Sequence, residues 1–575
     1  MLKLMRYMKP YSTSIGILLF LVLLQSISEL YLPTLMADIV DKGISKGDIS
    51  YIWRIGGLML LVALGGAACA IGASYLSSKV GVGYARDLRT KVFSHVENYS
   101  LREFDKIGTA SLITRSTNDI TQIQTVWVMI LRMMVMAPML CIGGIIMALS
   151  KDVGLSWIIV VVVPVLAGAI ILMASRAMPY FKVMQKKIDK MNLVLREGLT
   201  GIRVIRAFNR DDQEKKRFEE SNRDLTDTSI RVNQIMAFMM PVMMIVMNLT
   251  TIAIIWFGGK RIDSGDLMVG DMMAFIQYIM QIMFSLIMVA MMFVLIPRAS
   301  VSAVRVNEVL DTIPDIKDPL ESKTVGNRKG YVEFRDVTFS FPGAEMPAIR
   351  NINFSANPGE TTAIIGGTGS GKSTMINLLP RFYDVESGSI LVDGVDIREF
   401  SQEKLREKIG YVPQKAVLFT GSIAENIRYG KVDATDEEVR HAAETAQATE
   451  FVAEMAEGFD SVLAQGGTNI SGGQKQRLSI ARALVRRPEI YLFDDSFSAL
   501  DFKTDAKLRK ALKQETADAT VLIVAQRVST VMNADRIIVL EEGEIVGNGT
   551  HKELMTTCEV YREIVSSQLS EEEIA

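Results

Sequence analysis

Six uncharged apolar runs, at residues 10–28, 55–78, 133–150, 153–175, 232–259 and 272–297, constrain this chain more than any other feature. Each reaches or nearly reaches the roughly 20 residues that a helix needs to cross about 30 Å of hydrocarbon. No such run follows residue 297, although the chain continues to 575 residues. The pattern predicts an all-α membrane domain of six helices followed by a second part that does not span. Lys3, Arg6 and Lys9 precede the first run, but no small-residue cleavage site follows and apolar character resumes at Leu30. Residues 1–10 are therefore expected to form an amphipathic helix at the membrane surface rather than a secretory leader.

The cations set the orientation. Lys79, Arg86, Arg89, Lys91, Arg102, Lys106 and Arg115 fall between runs two and three, and Arg176, Lys182, Lys186, Lys187, Lys190, Arg196, Arg203, Arg206 and Arg210 between runs four and five. The other connections are short and mixed in sign. Both long connections, the N-terminus and everything after the sixth run are thus expected in the cytoplasm, and the protein in the inner (cytoplasmic) membrane, in contact with its lipids. The formal net charge of −2 gives no footprint for nucleic acid. Cys69, Cys141 and Cys558 are widely separated and lack metal-ligand spacing.

The long connections keep helical periodicity, as in "YFKVMQKKIDKMNLVLREGLTGIRVIRAF", so the membrane helices are expected to run on beyond the bilayer. Residues 311–330 are polar and proline-bearing, a linker by composition. Strand-like and helix-like segments then alternate, which predicts an α/β domain over 331–575, after a membrane domain over 1–310.

The α/β part carries "GGTGSGKS", with Gly366, Gly367, Thr368, Gly369, Ser370, Gly371, Lys372 and Ser373 in the order G-x-x-x-x-G-K-S, and Thr374 next. An apolar strand precedes it and a helix follows. Such a P-loop cradles the phosphates of ATP with backbone N–H groups; Lys372 reaches the terminal phosphates and Ser373 can coordinate Mg2+. A second apolar strand ends at Asp494, where P-loop domains hold the magnesium. Ser471, Gly472 and Gly473 open another helix, a further candidate anion-binding N-terminus.

"ISGGQ", Ile470 to Gln474, resembles the signature motif of ABC transporter ATPases. The P-loop, Gln414 in "YVPQKAVLFTGSIAENI", the strand to Asp494 and "SALD" at 498–501 resemble the Walker A, Q-loop, Walker B and D-loop motifs of the same family. Six spans fused to this domain resemble an exporter-type half-transporter over essentially the whole chain, and more narrowly the degenerate-site subunit of bacterial heterodimeric multidrug exporters. The resemblance implies two chains whose ATPase domains close head to tail, each ATP lying between the Walker loops of one and Ser471, Gly472, Gly473 and Gln474 of the other. It places Gln414 at the magnesium, Phe341 against adenine where the family usually has tyrosine, and segments 104–109 and 207–212 where motion passes to the spans.

Two positions that serve hydrolysis depart from the family. The residue after the Walker B aspartate, usually a glutamate that polarises the attacking water, is Asp495, one methylene shorter. An error of about 1 Å in placing such a group costs on the order of a hundredfold in rate. The switch histidine is replaced by Gln526, which hydrogen-bonds but carries no charge. With Lys372 retained, Asp495 and Gln526 are expected to give a site that holds ATP and turns it over slowly, while the signature completes a competent site on a non-identical partner. The expected activity is ATP-driven export of hydrophobic or amphipathic molecules. A lipid or lipopeptide flippase, an importer of metal chelates and a non-hydrolytic ATP-binding regulatory subunit are the alternatives.

For substrate contact the sequence offers methionines (Met239, Met240, Met243, Met244 and Met247 in run five; Met283, Met288, Met291 and Met292 in run six). Their flexible thioethers suit varied apolar shapes. Gln277, Gln281, Asn248 and Arg132 are polar positions in or beside spans, and Glu29 is the candidate for a cationic substrate.

Overall fold

The computed structural model describes residues 2–321, 323 and 329–569, without the side chains of Leu2, Phe293 and Val294. The expected linker thus lies partly outside the described residues. The chain forms two compact units, Met1–Glu97 with Thr109–Thr312, and Asn98–Gly108 with Ile313–Ala575. The short segment Asn98–Gly108 therefore goes with the second unit, which a division at residue 310 does not anticipate. Polar contacts hold it there: Arg102 bridges to Asp315 at 2.6 Å, and the Tyr383 hydroxyl donates to Asp105 at 3.3 Å.

Among the described residues, the first unit contains six helices long and apolar enough to cross a membrane: Lys3–Ile44, Ile49–Glu97, Thr109–Lys151, Trp157–Thr200, Asp211–Asp263 and Val269–Asp311. They run 42 to 53 residues. At 1.5 Å per residue even the shortest exceeds 60 Å, about twice the hydrocarbon thickness, so the charged prolongations are helical as their periodicity requires. Residues Leu2–Tyr11 wind as a 3₁₀ helix, not an α-helix, burying Leu4 and Met8 while Lys3, Arg6 and Lys9 stay exposed. The third and sixth helices approach closely at Gly144, where a Cβ would sit 2.8 Å from the Ile282 side chain. Phe275, Tyr278 and Ile282 of the sixth helix fill the core between them and Leu155 and Leu166.

Near its start the third helix widens into a π-turn at Arg115–Asp119. Asp119 is buried there and accepts from Ser302 Oγ at 2.8 Å and from the Arg305 guanidinium, both on the sixth helix. The extra residue of a π-turn rotates a side chain off the regular helical face, and here it delivers a carboxylate to a neighbouring helix.

In the second unit a six-stranded sheet runs in the order Glu544–Gly549, Arg536–Glu541, Thr361–Gly366, Thr520–Val524, Ile490–Asp494, Ile409–Val412. All neighbours are parallel except the first pair. The four inner strands are apolar on both faces, as a parallel sheet covered by helices demands. A second, antiparallel sheet, Ile349–Ala356, Val332–Phe339, Ser387–Val392, Val395–Asp396, comes from the first part of the unit, and its Phe334 and Phe354 share one core with Ile364, Leu492 and Leu522 of the six-stranded sheet. Thr361–Gly366, Ile490–Asp494 and Thr520–Val524 are neighbours, so their C-terminal ends bring residues 366–373, 494–495 and 526 together. Ligands of open α/β sheets bind at such strand ends.

Candidate nucleotide site

The loop after Thr361–Gly366 depends on glycine at defined places. A Cβ on Gly366 would lie 2.1 Å from the Leu540 carbonyl oxygen, and Gly371, at φ 95°, would press on the Ala348 carbonyl at 2.6 Å. Gly369 is also left-handed at φ 82°, and the space beside it and Gly367 is open. Thr368 is exposed and Ser370 buried, with Thr374 half-buried on the following helix, Lys372–Leu378. Lys372 is buried, and its Nζ donates to the carbonyls of Gly366 at 2.9 Å and Gly367 at 2.6 Å. Burial pushes its pKa down, against the opposing pull of Asp495 and Asp494. The ammonium is thus folded back on its own loop, ready to exchange carbonyls for phosphate oxygens.

Ser373 Oγ donates to Asp494 Oδ1 at 2.8 Å. Burial raises the Asp494 pKa, and the Ser373 hydrogen bond opposes it. A carboxylate and a hydroxyl oxygen side by side at the mouth of a phosphate loop fit Mg2+, which takes one or two protein oxygens and completes its shell with phosphates and water. Ser373 and Asp494 would hold that ion, which supplies charge neutralisation at the phosphates.

Asp495 sits one residue further, buried, with φ of 45°. Its Oδ2 accepts two amide hydrogen bonds, from Gln414 Nε2 at 3.2 Å and from Gln526 Nε2 at 3.0 Å. Gln414 therefore turns its nitrogen to the carboxylate, leaving Oε1 as the end able to face a cation. Gln526 is anchored in turn, because Gln568 Nε2 donates to its carbonyl at 2.9 Å and Gln568 Oε1 accepts from Val528 N at 2.9 Å. Arg527 extends the tie by donating to the Ser498 carbonyl at 3.1 Å. Gln568 carries no sequence signal: it lies in the last described helix, far from Gln526 along the chain.

Phe341 is 41% exposed and stands edge-on to Phe339 at 5.0 Å and to Tyr383 at 5.7 Å. An open aromatic face held by two rings suits stacking on a base. Tyr383 also holds Asp105, and burial together with that carboxylate pushes the phenol up to about 12, so it remains a donor at neutral pH. Sequence reasoning passed over Tyr383 because one aromatic before a strand has no periodic context.

Ser471 caps helix Gly472–Val485 reciprocally with Gln474: Gln474 N donates to Ser471 Oγ at 3.2 Å and Ser471 N to Gln474 Oε1 at 2.8 Å. Ser471 and Gly472 are exposed, and a Cβ on Gly473 would come 3.1 Å from the Ala499 carbonyl. Among the described residues no hydrogen bond joins Ser471–Gln474 to Lys372, Ser373, Asp494, Asp495 or Gln526.

Segments 104–109 and 207–212 are helical apart from residues 108 and 208–210, where one helix ends and the next begins. The helix is Leu101–Ile107, ended by Gly108 at φ 79°, while residues 208–210 form a turn between Ile202–Ala207 and the helix that starts at Asp211. Glycine and Asn209, at φ 51°, supply the left-handed backbone those ends need. The membrane methionines divide: Met243 and Met283 are packed in the core, so they cannot serve an open binding face, while Met240, Met244 and Met291 are exposed.

A helical membrane unit joined to a P-loop ATPase defines an ABC exporter half-transporter, and the comparisons agree. The ABC transporter transmembrane region matches residues 15–286 and the ABC transporter domain residues 349–498. The chain is 44% identical to uncharacterized ABC transporter ATP-binding protein MT1311 of Mycobacterium tuberculosis (strain CDC 1551 / Oshkosh), over 98% of this chain and 97% of that protein. It is 32% identical to the ATP-dependent lipid A-core flippase of Desulfotalea psychrophila (strain LSv54 / DSM 12343), over 95% of each. A bacterial Atm1-family ABC exporter with ATP bound superposes with a TM-score of 0.81 at 27% identity, covering 97% of this chain and 99% of that one. The chain belongs to the ABC transporter family: it is a multi-pass membrane protein and an ATP-binding, ATP-hydrolysing transport ATPase of the exporter kind.

Proposed function

We propose that this chain is one half of a heterodimeric exporter that moves hydrophobic or amphipathic small molecules out across the cytoplasmic membrane, with both termini in the cytoplasm. Its own Walker site, with magnesium held by Ser373 and Asp494, keeps ATP bound and hydrolyses it slowly. The observation that carries this reading is the double amide clamp on Asp495. A carboxylate that is one methylene short and engaged by two donors is a weak base toward water, and Gln526 brings no positive charge to the developing phosphate charge. The signature residues Ser471 and Gly472, exposed and not hydrogen-bonded to the chain's own Walker group among the described residues, fit service, with Gly473, to a non-identical partner half-transporter. Positive charge in the long connections supports the orientation.

The test is ATPase activity of the chain alone and with its partner, then with the partner's catalytic glutamate replaced by glutamine. Slow turnover alone, fast turnover in the pair and near-complete loss on silencing the partner are expected; robust hydrolysis after silencing would falsify the slow-site reading. A lipid flippase is the second reading, favoured by the relationship to the lipid A-core flippase. Movement of labelled lipid between leaflets, with no accumulation of soluble amphiphiles in inverted vesicles, distinguishes it.

A further inference from the structure

Within the spans, polar side chains link the first and sixth helices. The Gln281 Nε2 donates to the Glu29 backbone carbonyl at 3.0 Å, Gln25 Nε2 donates to Glu29 Oε1 at 2.9 Å, and the Tyr278 hydroxyl donates to the Leu30 carbonyl at 3.1 Å. By helical rise, Glu29 lies about 14 Å from Asp38 and Gln281 about 18 Å from Val269, inside the hydrocarbon thickness.

The direction Glu29 takes follows from its helix. Ile17, Phe20, Leu24, Ile27 and Tyr31 are exposed and repeat every three or four residues, the stripe that lipid would cover. Glu29 is about 200° around the helix from both Ile27 and Tyr31, so it points to the opposite side. It is nevertheless only half-buried. An ionisable group that faces away from lipid and still has open space beside it faces an internal space.

The sixth helix supplies the other wall. Met273, Gln277, Met280, Phe284 and Met291 are exposed along one stripe. A carboxamide turned to hydrocarbon loses its hydrogen bonds at a cost of several kcal/mol, about 4–8 in an alkane reference. Gln277 therefore marks this stripe as facing the interior of the transporter rather than lipid. Gln281, one turn on, borders the stripe. Its Nε2 is fixed by the Glu29 carbonyl, an acceptor that only the nitrogen end can satisfy, which assigns Oε1 to the other side. That oxygen is buried and has no hydrogen-bond partner among the described residues.

We propose that Glu29, Gln281 and Gln277, with Phe284 and Met280 beside them, form an intramembrane site for lipophilic monocations. The inference rests on the export reading and narrows its substrate class. The site offers a carboxylate, an unpaired amide oxygen, an aromatic face and a thioether, and among the described residues no cationic side chain is hydrogen-bonded to Glu29. A delocalised or quaternary cation with apolar arms supplies what these groups lack: charge for Glu29, a positive surface for the Gln281 oxygen and the Phe284 face, and apolar area for methionine.

Equilibrium binding to the full-length transporter in lipid nanodiscs tests this, using radiolabelled tetraphenylphosphonium and the neutral triphenylphosphine oxide. Glu29→Gln should weaken the cation by about tenfold or more and leave the neutral compound within about twofold, Glu29→Asp should keep most cation affinity, and Gln281→Leu should cost the cation a few-fold. Unchanged cation affinity in Glu29→Gln, equal loss of both ligands, or no saturable cation binding by the wild-type chain overturns the proposal. If Glu29→Gln no longer binds ATP analogue and so fails to fold, Glu29→Asp and Gln281→Leu decide by the same selectivity. Transport separates the two readings: ATP-driven accumulation of neutral amphiphiles in inverted vesicles without cation binding removes the site and keeps the exporter, whereas saturable cation binding without ATP-driven movement keeps the site and removes the exporter.

Discussion

Gln526 donates directly to one oxygen of Asp495, so replacing either alone leaves a mismatched pair. Asp495→Glu pushes a longer carboxylate toward an amide that cannot carry charge, and Gln526→His presents an imidazole to a carboxylate that is still short. The double change, in a complex whose partner glutamate is silenced, is expected to raise ATPase activity by about tenfold or more while each single change stays within about threefold, because groups acting on one transition state are non-additive. Lys372→Ala, which removes the buried ammonium now held by Gly366 and Gly367, should weaken binding of a labelled ATP analogue by about tenfold or more without unfolding the domain. Most of these residues were legible in the sequence, since the P-loop and signature are contiguous strings whose spacing encodes their geometry. Gln568 was not, because its two bonds to the Gln526 segment join positions 42 and 40 residues apart without any shared local pattern.

Among the elements, the π-turn Arg115–Asp119 and its ties to the sixth helix form a latch outside the apolar windows. Removing one member of a fully buried ion pair costs about 3–5 kcal/mol. Arg305 is 45% exposed here and can rehydrate, so Asp119→Ala should cost less, about 2 kcal/mol, read as a lowered thermal unfolding midpoint in detergent. Asp119→Asn keeps a partner for Ser302 and should fall between. The six apolar runs forecast these helices from hydropathy alone. The π-turn was invisible, because an inserted residue in a long helix leaves composition unchanged and is justified only by the neighbour it reaches.

For the whole molecule, Asn98–Gly108 packs with the ATPase unit, and Tyr383 links the Phe341 platform to Asp105 within it. Adenine stacked on Phe341 would restrain Tyr383 and, through its hydroxyl, the segment that continues into the membrane helices at Glu97 and Thr109. Tyr383→Phe keeps both ring contacts and removes only the hydrogen bond to Asp105. Basal ATPase activity is expected to stay within about twofold while substrate-stimulated ATPase and transport fall together; a loss of basal activity of equal size would show a role confined to nucleotide binding.

The sequence by itself determined that six helices span, that an α/β P-loop domain follows and that its Walker site lacks a glutamate and a histidine. Each of these is written in local order: hydropathy over about 20 residues, or motif spacing fixed by a turn of backbone. Only the tertiary structure decided that one oxygen of Asp495 takes both amides, that Met243 and Met283 are core while Met291 is open, and that Gln281 of the sixth helix bonds the Glu29 backbone carbonyl of the first. Those facts depend on which helix faces and strand ends come within about 3 Å of one another, and hydrogen bonds or close packing at that range connect residues that the chain itself holds far apart.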